Sequence, residues 1–207
     1  MRLFTQLAAT AAIGVCLASA PAFANTLAYT SYSVVNSYTV TLDYPPSING
    51  EQGGSGEIIL HGTPMGDVAT WCIDIFDYLQ NSGTYSLGTY ASNVIDALIV
   101  NGTPLIASRT DASAAIQVAI WEAEYGPTLV VQGDATMLAD AATFLANAEG
   151  GPWLPDPGKS LVLLSGVVSA NQNLVTLDPR MSVPEPAGMA LLSVGLLGLG
   201  MARRRNV

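Results

Sequence analysis

The chain has 207 residues, half of them hydrophobic, and carries a formal charge of −9 from 7 basic and 16 acidic side chains. The two terminal segments described below hold four arginines and Glu185; removing their +3 leaves −12 on the central portion, where Arg109, Lys159 and Arg180 are the only cations. Phosphate binding needs clustered cations, so nucleic acid is excluded as a partner.

At the N-terminus, Arg2 and the terminal amine precede an apolar stretch from Leu7 to Ala18, followed by the A-x-A pattern Ala22-Phe23-Ala24. Residues 1–24 therefore read as a signal peptide removed by signal peptidase, with the mature chain starting at Asn25. Residues 25–180 have the length of one domain. An acidic surface rich in Gly, Ser and Thr suits a soluble extracellular domain and repels anionic lipid headgroups.

Tyr29 to Tyr44 alternates through Tyr32, Val34, Tyr38, Val40 and Leu42, which predicts one or two strands ended by Pro45-Pro46. Asn49 to Gly56 reads as a glycine-rich loop, with Gly53-Gly54-Ser55-Gly56 as its flexible part. Glu57–His61 and Val68–Leu79 are expected strands, with Gly62-Thr63-Pro64 turning between them and Asn81-Ser82-Gly83 as the next turn. The period then changes. Ser92–Val100 is an expected helix ending at Asn101-Gly102. Asp111 or Ser113 caps a second helix running to about Tyr125 and stopped by Gly126-Pro127. Ala135–Ala148 is a third, ended by Gly150-Gly151-Pro152, and Leu161–Val168 and Leu174–Leu177 return to strand. The expected class is α+β, a β sandwich or barrel with a helical insertion.

The last residues have a different character. Pro184-Glu185-Pro186 precedes an uncharged, largely apolar run from Ala187 to Ala202, and Arg203-Arg204-Arg205 follows. Sixteen helical residues span about 24 Å, a little short of a hydrocarbon core of about 30 Å. The expected transmembrane helix is therefore 187–202, with the arginines as a cytoplasmic anchor. Residues 181–207 together resemble the PEP-CTERM sorting signal, a C-terminal region sometimes labelled after ice-binding proteins. That resemblance implies an exosortase, a membrane enzyme that cuts near the Pro-Glu-Pro and passes the ectodomain to the cell surface or its polysaccharide matrix.

Cysteine usage is the second informative feature. Cys16 leaves with the signal peptide, so Cys72 stands alone and an internal disulfide is impossible. Inert burial, pairing with a second chain and a reactive role all remain open for it.

Two segments bear on the reactive role: Thr70-Trp71-Cys72-Ile73-Asp74-Ile75 in an expected strand, and Ala114 to Glu122, containing Gln117-Val118-Ala119-Ile120-Trp121, early in an expected helix. Together they resemble the two halves of bacterial surface thioester domains, which pair an aromatic-Cys-acidic segment with Gln-x-Ala-x-Trp. Those domains combine a β barrel with a helical subdomain. The sequence departs from their commonest form in having Ile116 where threonine usually precedes the glutamine. The resemblance implies an internal thioester between Cys72 and Gln117, formed with loss of ammonia and opened by an amine or hydroxyl of a surface or matrix polysaccharide or protein. Such a bond needs a nucleophilic thiolate and a dry pocket. Trp71 and Trp121 are its expected walls, Trp121 lying four residues after Gln117 on one helix face. Free N–H groups near the helix start are expected to stabilise the oxyanion. Asp74 is expected to share the strand face of Cys72, as a base, an orienting group or a cap on a neighbouring loop. A simpler reading stands beside this one: Cys72 as a small buried hydrophobe, Gln117 bonding a strand edge and Trp121 as core.

Other chemistry has less behind it. His61 is the only histidine, and no Gly-x-Ser-x-Gly elbow accompanies it. One Cys and one His do not fill a zinc site. The carboxylate pairs Asp74/Asp77 and Glu122/Glu124 would serve a glycosidase only by facing each other across a cleft, which is a matter of fold, and no Asp-x-Asp-x-Asp-Gly calcium loop is present. Thr39-x-Thr41 does not repeat as an ice-binding array would. No cofactor, metal or enzymatic turnover is expected. The expected function is an exported, exosortase-sorted surface or matrix protein, either a covalent adhesin through Cys72 and Gln117 or a noncovalent exopolysaccharide or carbohydrate binder with an inert Cys72.

Overall fold

Burial alternates from the first described strand, where β1 (Thr26–Tyr29) buries Leu27 and Tyr29 and exposes Thr26 and Ala28. The structure, a computed structural model, describes residues 26–89, 92–165 and 171–179. After β1 come β2 (Ser31–Tyr44), β3 (Ile48–Thr63), β4 (Gly66–Cys72) and β5 (Gly83–Gly88). Three helices follow, α1 (Asn93–Gly102), α2 (Ala112–Tyr125) and α3 (Ala135–Glu149), with the short strand β6 (Val130–Gln132) between the last two. The strands β7 (Ser160–Ser165) and β8 (Leu174–Leu177) complete the described chain.

All strand pairs are antiparallel, in the order β1-β5-β7-β8-β4-β3-β2-β6. β1 and β2 stand at opposite ends of the run from β5 to β3, yet only Thr30 separates them in sequence. The Thr30 amide donates to the His61 carbonyl at 2.9 Å, so the ladder returns to its own start, with β6 appended beyond β2. The protein is thus α+β, mostly antiparallel sheet with a few helices that enter between β5 and β7.

Helix α2 explains the depth of the core. Its residues from Ala112 to Trp121 are all buried, with alanine at 112, 114, 115 and 119 allowing close approach on every side. A helix apolar all round belongs in an interior, and α2 packs against β3, α1 and α3. It stops at Gly126, whose φ of 64° suits a residue without a Cβ. Asp111 occupies the N-cap without a capping bond; its carboxylate pairs with Arg109, which also reaches Asp140 on α3. Ser113 does not cap either, and its Oγ accepts from the Glu57 amide at 2.6 Å, tying the helix start to β3. The other helices are capped by side chains, Ser92 accepting from the Ile95 amide and Asp134 from those of Thr136 and Met137.

Several element boundaries differ from expectation. The glycine-rich stretch 49–56 is strand, because β2 pairs with it residue by residue from Tyr38 to Leu42 and, after a shift past Gly50, at Asp43. β2 bulges between Val35 and Tyr38, and a Cβ on Gly56 would lie 2.9 Å from Ser37 Cα. The glycine there admits a neighbouring backbone rather than flexibility. The hairpin turn is Pro64-Met65, not Gly62-Thr63-Pro64, since Thr63 and Gly66 still pair. β4 ends at Cys72 instead of running to Leu79. β5 and β6 were not expected; β5 is short and bounded by glycines, and β6 has three residues.

Asp96 on α1 is buried, and its carboxylate accepts from the Asp156 amide at 2.6 Å and from the Ser160 hydroxyl at the start of β7. Asp96→Ala leaves both donors unmet, and urea denaturation of the full-length chain is expected to show a loss of about 1–3 kcal/mol.

Among the described residues no helix is long and apolar enough to cross a membrane. The expected signal peptide 1–24, Pro184-Glu185-Pro186, the expected span 187–202 and Arg203 to Arg205 lie outside the described residues.

Candidate functional site

Cys72 is the last residue of β4, and Gln117 lies in the second turn of α2. The fold brings these two residues, 45 apart in sequence, into direct contact. The Cys72 amide donates to Gln117 Oε1 at 2.8 Å, and Gln117 Nε2 donates to the Cys72 carbonyl at 2.7 Å. On its other edge β4 pairs with β8 through Leu174, and the Ile73 amide donates to the Asn173 carbonyl. β3 pairs with β4 from Thr63 to Ile58, opposite Gly66 to Thr70, so the Gln117 carboxamide takes over the edge that β3 leaves. Both residues are buried, Cys72 at 5% exposure and Gln117 at 1%.

They share a cavity of about 210 Å³, with Tyr32, Glu51, Asp77, Tyr78, Trp121 and Gln172 among its lining residues. Trp121, an expected wall residue, is among them. Trp71 and Asp74 are not among the lining residues. Alternation along β4 turns Trp71 to the face opposite Cys72, where it is fully buried. Asp74 lies beyond the end of the strand, so the shared strand face is lost. Its carboxylate caps a turn by accepting from the Phe76 amide at 2.8 Å and sits 3.5 Å from Asn173 Nδ2. Of the roles weighed for Asp74, loop capping is the one its contacts match.

The expected oxyanion donors also differ. Gln117 lies in the second turn, past the helix start, where the Ala112 amide donates to the Arg109 carbonyl and the Ala115 amide makes the first helical bond to Asp111. The donor facing its Oε1 is the amide of Cys72 itself. The thiol is pushed well above the ordinary cysteine range, first by burial and then by the negative charge of Asp74. Tyr125 on α2 fixes the chain leaving β4, donating to the Ile73 carbonyl at 3.1 Å and accepting from the Ile75 amide at 3.2 Å. Burial pushes its hydroxyl up to about 12, so it stays protonated and can donate.

Sequence reasoning missed the run Asn171-Gln172-Asn173, which braces the segment after Cys72. Asn171 accepts from the Gln80 amide and donates to the Tyr29 hydroxyl. Gln172 accepts the Cys72 thiol hydrogen at 2.7 Å and donates to the Asp74 carbonyl at 2.6 Å. Asn173 accepts from the Ser165 amide. Three adjacent carboxamides at the start of a strand, where Asn is disfavoured, were the available signal.

His61 does join a Ser-His-Asp row: Ser33 Oγ lies 2.9 Å from Nε2, and Asp67 Oδ1 lies 2.9 Å from Nδ1. Ser33 sits mid-strand in register with Ile59, outside the cavity lining, and Asp67 is exposed. The row lacks the strained turn and converging amides that activate such a serine.

Residues 182–205 match the model of the PEP-CTERM protein-sorting motif, 24 of 207 residues. The motif marks an exported protein carrying a membrane-anchored sorting signal, processed by an exosortase and directed to the cell surface. No curated protein and no solved structure matches the chain. These comparisons lend no support to the ice-binding label or to the thioester-domain resemblance.

Proposed function

We propose that the domain upstream of the sorting motif is a covalent adhesin, displayed at the cell surface or in its matrix, that attaches through an internal thioester between Cys72 and Gln117. The observation that carries this reading is the paired hydrogen bonding of Gln117 with the backbone of Cys72, at a cavity which the thiol also lines. In the first step Cys72 Sγ attacks Gln117 Cδ, the S–C bond forms and the C–N bond breaks. The thiol proton leaves with the amide nitrogen as ammonia. The Cys72 amide already donates to Oε1, where negative charge develops during the attack. In the second step an amine or hydroxyl of the target attacks the same carbon and returns the proton to sulfur. Each domain reacts once, so it is proposed as a reagent rather than an enzyme. Burial of both residues supports this reading, because a thioester open to water hydrolyses.

A second reading is favoured by the raised thiol and by the satisfied strand edge: a noncovalent matrix or carbohydrate binder in which Cys72 is inert. Intact mass of the full-length chain separates the two. The covalent reading expects a mass short by one ammonia, converted by methylamine to an adduct at Gln117 and absent in Cys72→Ala. A full mass with a thiol that alkylates only on unfolding sinks it and leaves the second reading.

A further inference from the structure

We infer that Gln172 is the positioning residue of the Cys72–Gln117 pair, holding the thiol so that sulfur presents its lone pairs to the Gln117 carboxamide. This inference rests on the covalent reading above. The orientation of the Gln172 side chain is fixed by what surrounds it. Its Nε2 lies 2.6 Å from the Asp74 carbonyl, which only accepts, so Oε1 is the atom turned to the thiol 2.7 Å away. The backbone of Gln172 is held as well, since its carbonyl accepts from the Tyr85 hydroxyl at 3.0 Å. Tyr85 is itself fully buried and stacks on Tyr29 with ring centroids 5.6 Å apart. The carboxamide thus reaches the sulfur from a rigid base and lines the same cavity.

The consequence for reaction is directional. A thiol has one hydrogen to donate; with that hydrogen committed to Gln172, its lone pairs are left for Cδ of Gln117. A neutral carboxamide is too weak a base to keep the proton, which still ends on ammonia when the C–N bond breaks. Gln172 therefore places the nucleophile and takes no part in the proton balance. Misplacement of a reacting group by about 1 Å is enough to slow a reaction on the order of 10²-fold.

Two substitutions separate placement from polarity and from packing. Gln172→Asn keeps a carboxamide but draws it back by one methylene, and Gln172→Met keeps the length and removes the acceptor. In newly synthesised full-length chain, ammonia loss is expected to slow on the order of 10²-fold in both, with the unfolding midpoint of Gln172→Met lowered by the lost bond to the Asp74 carbonyl but the chain still folded. Wild-type rates in both variants overturn the role of Gln172 while leaving the thioester intact. The second arm reads the free thiol in a Gln117→Glu background, by the pH profile of iodoacetamide labelling of the Cys72 peptide. An acceptor on S–H favours the protonated form, so Gln172→Met is expected to move that profile to lower pH. An unmoved profile overturns the placement. If wild-type chain never loses ammonia, the covalent reading fails by itself, and the labelling arm still decides whether Gln172 holds the thiol.

Discussion

Gln117→Ala is expected to destabilise the full-length chain by about 2–6 kcal/mol, against less than about 1.5 kcal/mol for Cys72→Ala. The asymmetry follows from which atoms make the contact. Gln117 bonds the backbone N–H and C=O of Cys72, and both survive any change of the cysteine side chain. Removing Gln117 strands two buried backbone groups on an edge that β3 has left, each costing about 1–3 kcal/mol when unmet. Removing the thiol deletes one small side chain and frees the Gln172 oxygen, which lines a cavity.

Urea denaturation of the two variants measures this, and the comparison has a second use. Both substitutions abolish a thioester, so a purely chemical role for the pair predicts equal losses relative to wild type. A large gap assigns Gln117 a structural duty that holds whether or not the bond forms. Equal and small losses mean that water or rearranged chain satisfies the Cys72 backbone at little cost. Gln117→Glu refines the point, since it retains an oxygen for the Cys72 amide but turns a second one toward the Cys72 carbonyl. That variant is expected to fall between the other two.

The legible and illegible parts of this fold divide along physical lines. Helices were legible because their signals are local: Ser92 and Asp134 cap with their own side chains, and Gly126 stops α2 through its own φ. The contact of Cys72 with Gln117 was legible only as a resemblance between two short motifs, since nothing in either segment encodes their 45-residue reach. Strand limits were less legible, because pairing overrides composition. Residues 49–56 read as loop from their glycines, yet β2 supplies a partner for them and Gly56 is needed against the bulge at Ser37. In the opposite sense, Ile73 to Leu79 reads as strand from its apolar residues. There the chain leaves the sheet, held by Tyr125 and by the carboxamides of residues 171–173. Misreading that exit moved Asp74 onto the wrong face. Gln172 was invisible because its role depends on an approach from 100 residues away.

Trp71→Ala is expected to cost about 3–5 kcal/mol, a large part of the about 5–15 kcal/mol that holds a typical domain together. Trp71 is the largest side chain in the core with no exposure, and it pairs across the sheet with Val175, also fully buried. The ladder there joins β4 to β8, on which the run carrying Gln172 depends. Trp71→Phe is expected to be much milder, about 1 kcal/mol or less. The indole N–H of Trp71 finds no acceptor among the described residues, so phenylalanine gives up area but also removes a buried donor whose burial costs about 1–3 kcal/mol. Thermal or urea unfolding of the two variants tests the balance. A Phe variant as damaged as the Ala variant means that the indole N–H is satisfied and that Trp71 is held by a specific bond rather than by packing. Because Trp71 faces away from Cys72, the Phe variant is also expected to lose ammonia at the wild-type rate. A failure there places Trp71 in the reactive site after all, through the strand that it shares with the thiol.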